Sequence, residues 1–390
     1  MNIGIVTVWH DRGAAFVSKA YLNTLTPENN VFIYARGGEI DARGDETWNK
    51  SYVTWGKRVH LGIPSFIIWK DFKEWILRNH LDTIIFNEQH SWDVILRSIK
   101  MGIKIGAYVD YYKKETFPFF GLYDFLLCNT QRHYSVFKDH PQAFYIPWGT
   151  DCAIYAEDCK PVSDKEVIFF HSCGMNPWRK GTDVLVKAFQ GVKGSARLII
   201  HSQVPIIDSV LANPIKADSR IEVIVKTVGP PGLYHLGDVY VYPTRLEGIG
   251  LTIAEALASG LPVITVDNAP MNEFVVDGIN GRLVPVSQYQ QRWDKYYWDE
   301  CLCNDQDLMQ AMQFYVDHQQ KIEEYKHKAR NYAIEKLNWR INSAGLSKII
   351  HDSGRLIKPD RLIRETAFYE YSSYPGLVAS ALLRKLKIIR

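Results

Sequence analysis

No apolar run in the chain approaches the ~18–20 residues that a bilayer-spanning helix needs. Met1–Val6 opens as a strand, without the basic region and cleavage site of a secretory leader. The chain is therefore expected to be cytoplasmic, and peripheral on the inner face of a membrane at most. No Gly-x-Gly-x-x-Gly follows the first strand and no Gly-x-x-x-x-Gly-Lys-Ser/Thr occurs anywhere, so a dinucleotide-dependent oxidoreductase and a P-loop enzyme are poorly supported. Cysteine is sparse: Cys128, Cys152, Cys159, Cys173, Cys301 and Cys303 form neither zinc-type pairs nor a disulfide framework. Cys301-x-Cys303 reads as two buried thiols. Internal repeats and low-complexity stretches are lacking too. Net charge is only +3, which gives no reason to expect nucleic acid as a partner. From His351 to Arg390, however, eight Lys/Arg face four Asp/Glu, so attraction to an anionic surface belongs to the tail.

What remains is a 390-residue globular chain, 46% hydrophobic and 23% charged, long enough for two domains. Short Val/Ile-rich runs alternate with helical segments, the pattern of parallel βαβ units. Strands are predicted at Ile3–Trp9, Asp82–Phe86, Ile103–Val109 and Phe125–Cys128, with helices at Ala14–Leu25 and Trp92–Lys100. After a polar stretch at 150–165 a second series begins. Its predicted strands are Val167–Phe170, Ala196–His201, Ile221–Val225, Val239–Tyr242 and Pro262–Val266, with helices at Thr182–Phe189 and Thr252–Ser259. Two doubly wound α/β domains follow, with ligands expected at the carboxyl ends of the strands. The expected division is 1–148, a linker at 149–166, 167–335, and a C-terminal helix and tail at 336–390 returning to the first domain.

The most informative stretch is Tyr242–Ile264. A strand ends at Tyr242, and a turn carrying Glu247, Gly248, Ile249 and Gly250 leads into a helix that starts at Leu251-Thr252. The two glycines let the backbone approach a ligand, and the helix start offers unpaired N–H groups to a phosphate or sugar hydroxyl. Inside that helix Glu255 stands among apolar residues, where a lone carboxylate is costly unless something bonds it. Either a structural partner such as an arginine or the vicinal diol of a ribose would satisfy it. A second element follows Val167–Phe170, where adjacent Arg179 and Lys180 just before a helix make a diphosphate site or a solvated basic pair.

Two glutamates with seven residues between them, spanning strand, Gly-x-Gly turn and helix, resemble the signature of retaining GT-B glycosyltransferases, family 4 (glycosyl transferases group 1). Similarity extends from about Ile146 to Trp339. The resemblance implies two Rossmann-like domains facing a central cleft, with the first on the acceptor side. Glu255 would hold the ribose, and Glu247 would lie beside the donor sugar and phosphates. Arg179 and Lys180 would stabilise the leaving diphosphate. Gly13, the lone glycine after the first strand, and His90 at the end of a later strand would face the cleft. Thr227 and Val228 would lie near the nucleobase.

The implied reaction moves a sugar from a nucleotide-sugar, UDP-linked by preference, to a hydroxyl of a glycan or lipid-linked acceptor, with retention and without metal or cofactor. A nucleotide-sugar epimerase and an inactive partner subunit are the alternatives. Asp305 and Asp307 mimic a metal-binding Asp-x-Asp but precede a helix, where acidic residues are capping material. The tail Gly376–Arg390 reads either as a closing helix packed on the first domain with its charges solvated or, together with Phe66, Trp69 and Trp75 presented on one side, as a weak contact with an anionic membrane.

Overall fold

The computed structural model describes residues 1–58, 65–155 and 166–385. It forms two compact units. The first comprises residues 1–129, 133–146 and 343 onward; the second comprises 130–132 and 147–342. The linker residues 156–165, Cys159 and the last five tail residues lie outside the described residues.

The first unit begins with β1 (Asn2–Thr7), α1 (Gly13–Leu25), β2 (Asn30–Ala35), β3 (Val53–Trp55), α2 (Trp69–Arg78), β4 (Thr83–Asn87), α3 (Asp93–Lys100) and β5 (Lys104–Tyr108). It continues with β6 (Phe125–Cys128), α4 (Gln131–Phe137, which starts within the second unit's residues) and β7 (Ala143–Tyr145). All strands are parallel in the order β3-β2-β1-β4-β5-β6-β7. The order turns at β1/β4, the switch point at which open sheets of this kind bind ligands. β1, β4, β5 and β6 are almost wholly buried, as expected of strands covered on both faces.

The second unit contains β8 (Val167–Gly174), α5 (Thr182–Gly191), β9 (Ala196–Ser202), α6 (Ser209–Ala217), β10 (Ile221–Val225), β11 (Val239–Tyr242), α7 (Leu251–Ala258), β12 (Val263–Val266) and β13 (Gly281–Val284). Its parallel sheet runs β10-β9-β8-β11-β12-β13, and the switch point falls between β8 and β11. A buried pair reinforces that seam. Lys326 Nζ lies 3.0 Å from Asp238 Oδ1, while Asp238 Oδ2 accepts from the Ile168 amide at 2.9 Å. A separate antiparallel hairpin, β14 (Gln288–Gln290) and β15 (Glu300–Leu302), precedes α8 (Asp305–Asp317), α9 (Ile322–Lys336) and α10 (Trp339–Asn342). α9 ends at Lys336, where residues 337–339 are tied to the start of the unit. Thr150 N donates to Leu337 O, and Trp339 N donates to Thr150 O. The chain thus re-enters the first unit at Ser343, where α11 (Leu346–Asp352) and α12 (Asp360–Lys385) complete it.

Trp75 corrects the membrane expectation. It is 1% exposed and packs with Tyr34 and Phe72 as core, while Trp69 is half-buried under the Arg97 guanidinium. α2 therefore turns Trp75 inward, away from any bilayer. On α12, Glu370 is buried and accepts from the Ser91 hydroxyl (2.6 Å) and the Trp92 amide (3.0 Å), capping α3. Further along, Val378 and Leu382 are exposed. Among the described residues no helix is long and apolar enough to cross a membrane.

Candidate active site

The loops after β8 and β11 meet at the second unit's switch point. Gly181 makes this possible. Its φ of +70° suits glycine, and a Cβ there would sit 2.0 Å from Pro243 O. Behind it, His171 bridges the Val241 carbonyl and the Thr182 hydroxyl, both at 2.8 Å, fixing the β8–α5 loop to β11. Burial pushes that histidine down to about 4, so it packs as a neutral ring.

Three residues predicted for the site converge. Lys180 Nζ lies 2.5 Å from Glu247 Oε1, and Arg179 Nη1 lies 3.9 Å from Glu247 Oε2. Arg179 also donates to Leu246 O at 3.0 Å. Glu247 is buried and accepts from Thr244 Oγ1 (2.6 Å) and the Tyr242 hydroxyl (3.0 Å); Lys180 also donates to that hydroxyl. Burial pushes the Glu247 carboxyl up, but Lys180, Arg179 and the Thr244 hydrogen bond overcome it and hold the group at about 2. Burial and the Arg179 charge pull Lys180 down to about 8, against the opposing pull of Glu247. The result is a fixed carboxylate beside two cations, one of which titrates near neutrality.

Gly250, at φ +95°, is the N-cap of α7 and leaves its first turn without a side-chain cap, with the Ile253 amide turned back on Gly250 O at 3.0 Å. Gly248, Leu251 and Thr252 are half-buried along this turn, and Ile249 is buried. One turn into α7, Glu255 has tyrosine partners in place of the arginine considered from sequence. The Tyr234 hydroxyl donates to Oε2 at 2.6 Å, and Tyr155 bonds it as well. Burial raises its pKa, and both tyrosines oppose the rise. Thr227 is exposed and Val228 half-buried in the loop after β10.

Tyr242, Thr244, Tyr234 and Arg132 were missed by sequence reasoning. The first two flank the Glu247 turn and were readable as its neighbours. Arg132, buried, donates to Glu247 O at 2.6 Å and to Ala269 O at 2.5 Å from far earlier in the chain, with no local signal.

The first unit has a polar cluster at its own switch point. Gly13 begins α1 and is exposed beside Arg12, whose guanidinium lies 3.7 Å from Glu39. Buried Arg36 donates to Asn87 O (3.1 Å), Glu88 O (2.5 Å) and Glu39 (3.1 Å). Glu88 takes φ +49° after β4. Burial pushes its carboxyl up, but a hydrogen bond with Asp110 and the Arg12 and Arg36 charges hold it below the ordinary value. His90 keeps an exposed outer surface and meets Tyr111 edge-on at 4.6 Å. Desolvation, then Arg36, push its pKa down to about 4, with Glu88 opposing.

Asp305 and Asp307 occupy the first turn of α8. Asn304 caps the helix through the Asp307 amide (2.7 Å), and Lys187 pairs with Asp305 at 3.0 Å. Among the described residues no group of three His, Cys, Asp or Glu is placed to hold a metal. Five of the cysteines are described, all buried and unbridged.

Residues 165–295 match the family described as Glycosyl transferases group 1. An 87-residue stretch is 36% identical to the UDP-N-acetylglucosamine–peptide N-acetylglucosaminyltransferase GtfA subunit of Streptococcus pneumoniae, covering 21% of this chain and 17% of that protein. A 59-residue stretch is 39% identical to the lipopolysaccharide core biosynthesis mannosyltransferase LpsB of Rhizobium meliloti, covering 15% of this chain and 17% of that one. The matched stretches thus span about a sixth of each relative. In fold, the chain resembles Anabaena HepE, solved with UDP and glucose. The TM-score is 0.71 at 15% identity, covering 90% of this chain and 99% of that one. The architecture is that of GT-B glycosyltransferases.

Proposed function

With residues 165–295 a group 1 glycosyltransferase segment, we propose that the chain transfers a sugar from a nucleotide-sugar to a hydroxyl, with retention at the anomeric carbon. The observation that carries this is the Arg179–Lys180–Glu247 cluster beside the open start of α7. The developing charge is that of a departing nucleoside diphosphate as the anomeric C–O bond breaks. Two cations and helix amides take it up, each such donor being worth roughly 3 kcal/mol in the transition state. Because this charge is supplied by side chains and amides, the reaction proceeds without a metal. The acceptor oxygen bonds the anomeric carbon on the face the diphosphate leaves, and its proton passes to the departing phosphate. Glu247 stays ionised and positions Lys180; Glu255 binds the ribose.

UDP is the favoured nucleotide, because HepE was solved with UDP and the GtfA subunit is named for UDP-N-acetylglucosamine. The acceptor is a glycan or a lipid-linked glycan destined for the cell surface. The basic residues of the C-terminal sequence and the apolar Val378 and Leu382, exposed on α12, favour weak, salt-sensitive contact with anionic lipid, and flotation with anionic vesicles at low and high salt tests it.

The deciding experiment is a thermal-shift panel of UDP, UDP-glucose, UDP-N-acetylglucosamine and GDP-mannose, then turnover of the best binder with and without EDTA. NMR of the product's anomeric proton reads the stereochemistry. Stabilisation by a nucleotide-sugar, EDTA-resistant release of the diphosphate and retained configuration are expected. An epimerised free nucleotide-sugar as the product, or no nucleotide binding, would overturn the reading.

A further inference from the structure

The β14–β15 hairpin stands apart from both parallel sheets, yet it is anchored beside the Glu247 turn, with Cys301 N donating to Arg245 O at 2.9 Å. Between this hairpin and the β8–α5 loop opens a pocket of about 410 Å³, within the range of small-molecule sites. Its wall includes Arg179, so it adjoins the diphosphate-binding cluster. Two indoles line it, Trp293 at 91% exposure and Trp178 at 41%. Two such rings lining one pocket make an exposed apolar patch, the kind of surface that marks a binding site.

The pocket's charges decide what these rings are for. Arg245 is held by Asp183 in a two-pronged pair (2.9 and 2.6 Å), and Arg292 by Asp294 in another (3.0 and 2.6 Å). Glu300 adds a negative charge. An anion entering here would find most of the positive charge already matched. A neutral pyranose finds what it needs: flat rings for its C–H face, and fixed donors and acceptors side by side for its hydroxyls.

The geometry points to a binding site for a neutral sugar residue, formed by Trp178 and Trp293 with the paired arginines Arg245 and Arg292. Its role as part of the acceptor subsite rests on the transfer reaction proposed above. The hairpin then contributes acceptor recognition from the second unit itself.

Saturation-transfer NMR with methyl glycosides of glucose, galactose, mannose and N-acetylglucosamine, and with their β-linked disaccharides, tests it. At least one saccharide is expected to bind the full chain, with affinity falling about tenfold or more in Trp293→Ala and in Trp178→Ala. Trp293 is so exposed that its removal leaves the fold intact, which circular dichroism checks. No binding by any saccharide, wild-type affinity in both variants, or glucose 6-phosphate binding tenfold tighter than methyl glucoside would overturn the site. A parallel UDP titration separates the two readings. UDP binding without saccharide binding removes this site alone, and saccharide binding without UDP binding removes the donor reading alone.

Discussion

Lys180 Nζ and Glu247 Oε1, 67 residues apart in sequence, lie 2.5 Å from each other on the loops after neighbouring strands β8 and β11. The pair sits beneath Arg179 and is held from below by Tyr242 and Thr244. Glu247→Gln keeps the shape and removes the charge that orients Lys180. Turnover is expected to fall about a hundredfold, with a much smaller change in UDP affinity. Steady-state kinetics and calorimetry on the same preparation check this split.

The lowered pKa of Lys180 makes donor binding pH-dependent. Above about pH 8 the free protein loses the proton that the diphosphate needs. UDP affinity is then expected to fall by about tenfold per pH unit, and binding takes up a proton. Calorimetry in buffers of different ionisation enthalpy reads that proton. The stability sign is opposite. Between about 8 and the ordinary 10.5 the unfolded chain holds a proton the folded chain lacks, so this group's contribution rises with pH across that window.

Glu255→Gln is expected to weaken UDP binding by about 10- to 100-fold, the loss of a charge-assisted bond to ribose hydroxyls. A 2′,3′-dideoxy nucleotide should bind wild type and variant alike. Unequal losses on that nucleotide would move Glu255 away from the ribose. Because burial raises this carboxyl, wild-type affinity should drop on the acid side as it protonates.

Gly181→Ala forces a methyl group toward Pro243 O at φ +70°. The left-handed backbone alone costs an alanine about 1–2 kcal/mol. A fall in Tm of at least ~3 °C is expected. Nucleotide binding should weaken with it, because the same loop carries Arg179 and Lys180.

His90, held near 4, is neutral at working pH. Activity in His90→Gln is expected to keep whatever inflection wild type shows between pH 6 and 8. Loss of that inflection in the variant would show that His90 titrates there.

The central strands were legible because they are buried on both faces and read as unbroken Val/Ile runs. Phe125–Cys128 and Val239–Tyr242 were found at their true bounds, as was the edge strand Ile221–Val225, which is only half-buried but rich in Ile and Val. β3 and β7, three half-buried residues each at sheet edges, gave no such run. β2, though mostly buried, opens on polar Asn30 and was also passed over. Glu247 and Glu255 were legible through spacing and the Gly-x-Gly turn. Their hydroxyl partners were not, since a tyrosine in a strand reads as core until its oxygen is seen to face a carboxylate. Trp75 shows the converse: an aromatic on a polar helix was read as outward when the sheet lay on its side.

Glu370 caps α3 from 278 positions further along the chain. The second unit is thus an insertion within the first, whose last helix emerges from the ribosome only after the insertion is made. At synthesis rates of ~5–20 residues per second, the nascent first unit waits ten seconds or more with the start of α3 uncapped. The second unit, continuous apart from Thr130–Arg132, has nearly its whole sheet and helices available before that wait ends. Maturation therefore runs against chain order, and a ribosome stalled before Ser343 leaves the second unit complete in sequence and the first without its closing helices.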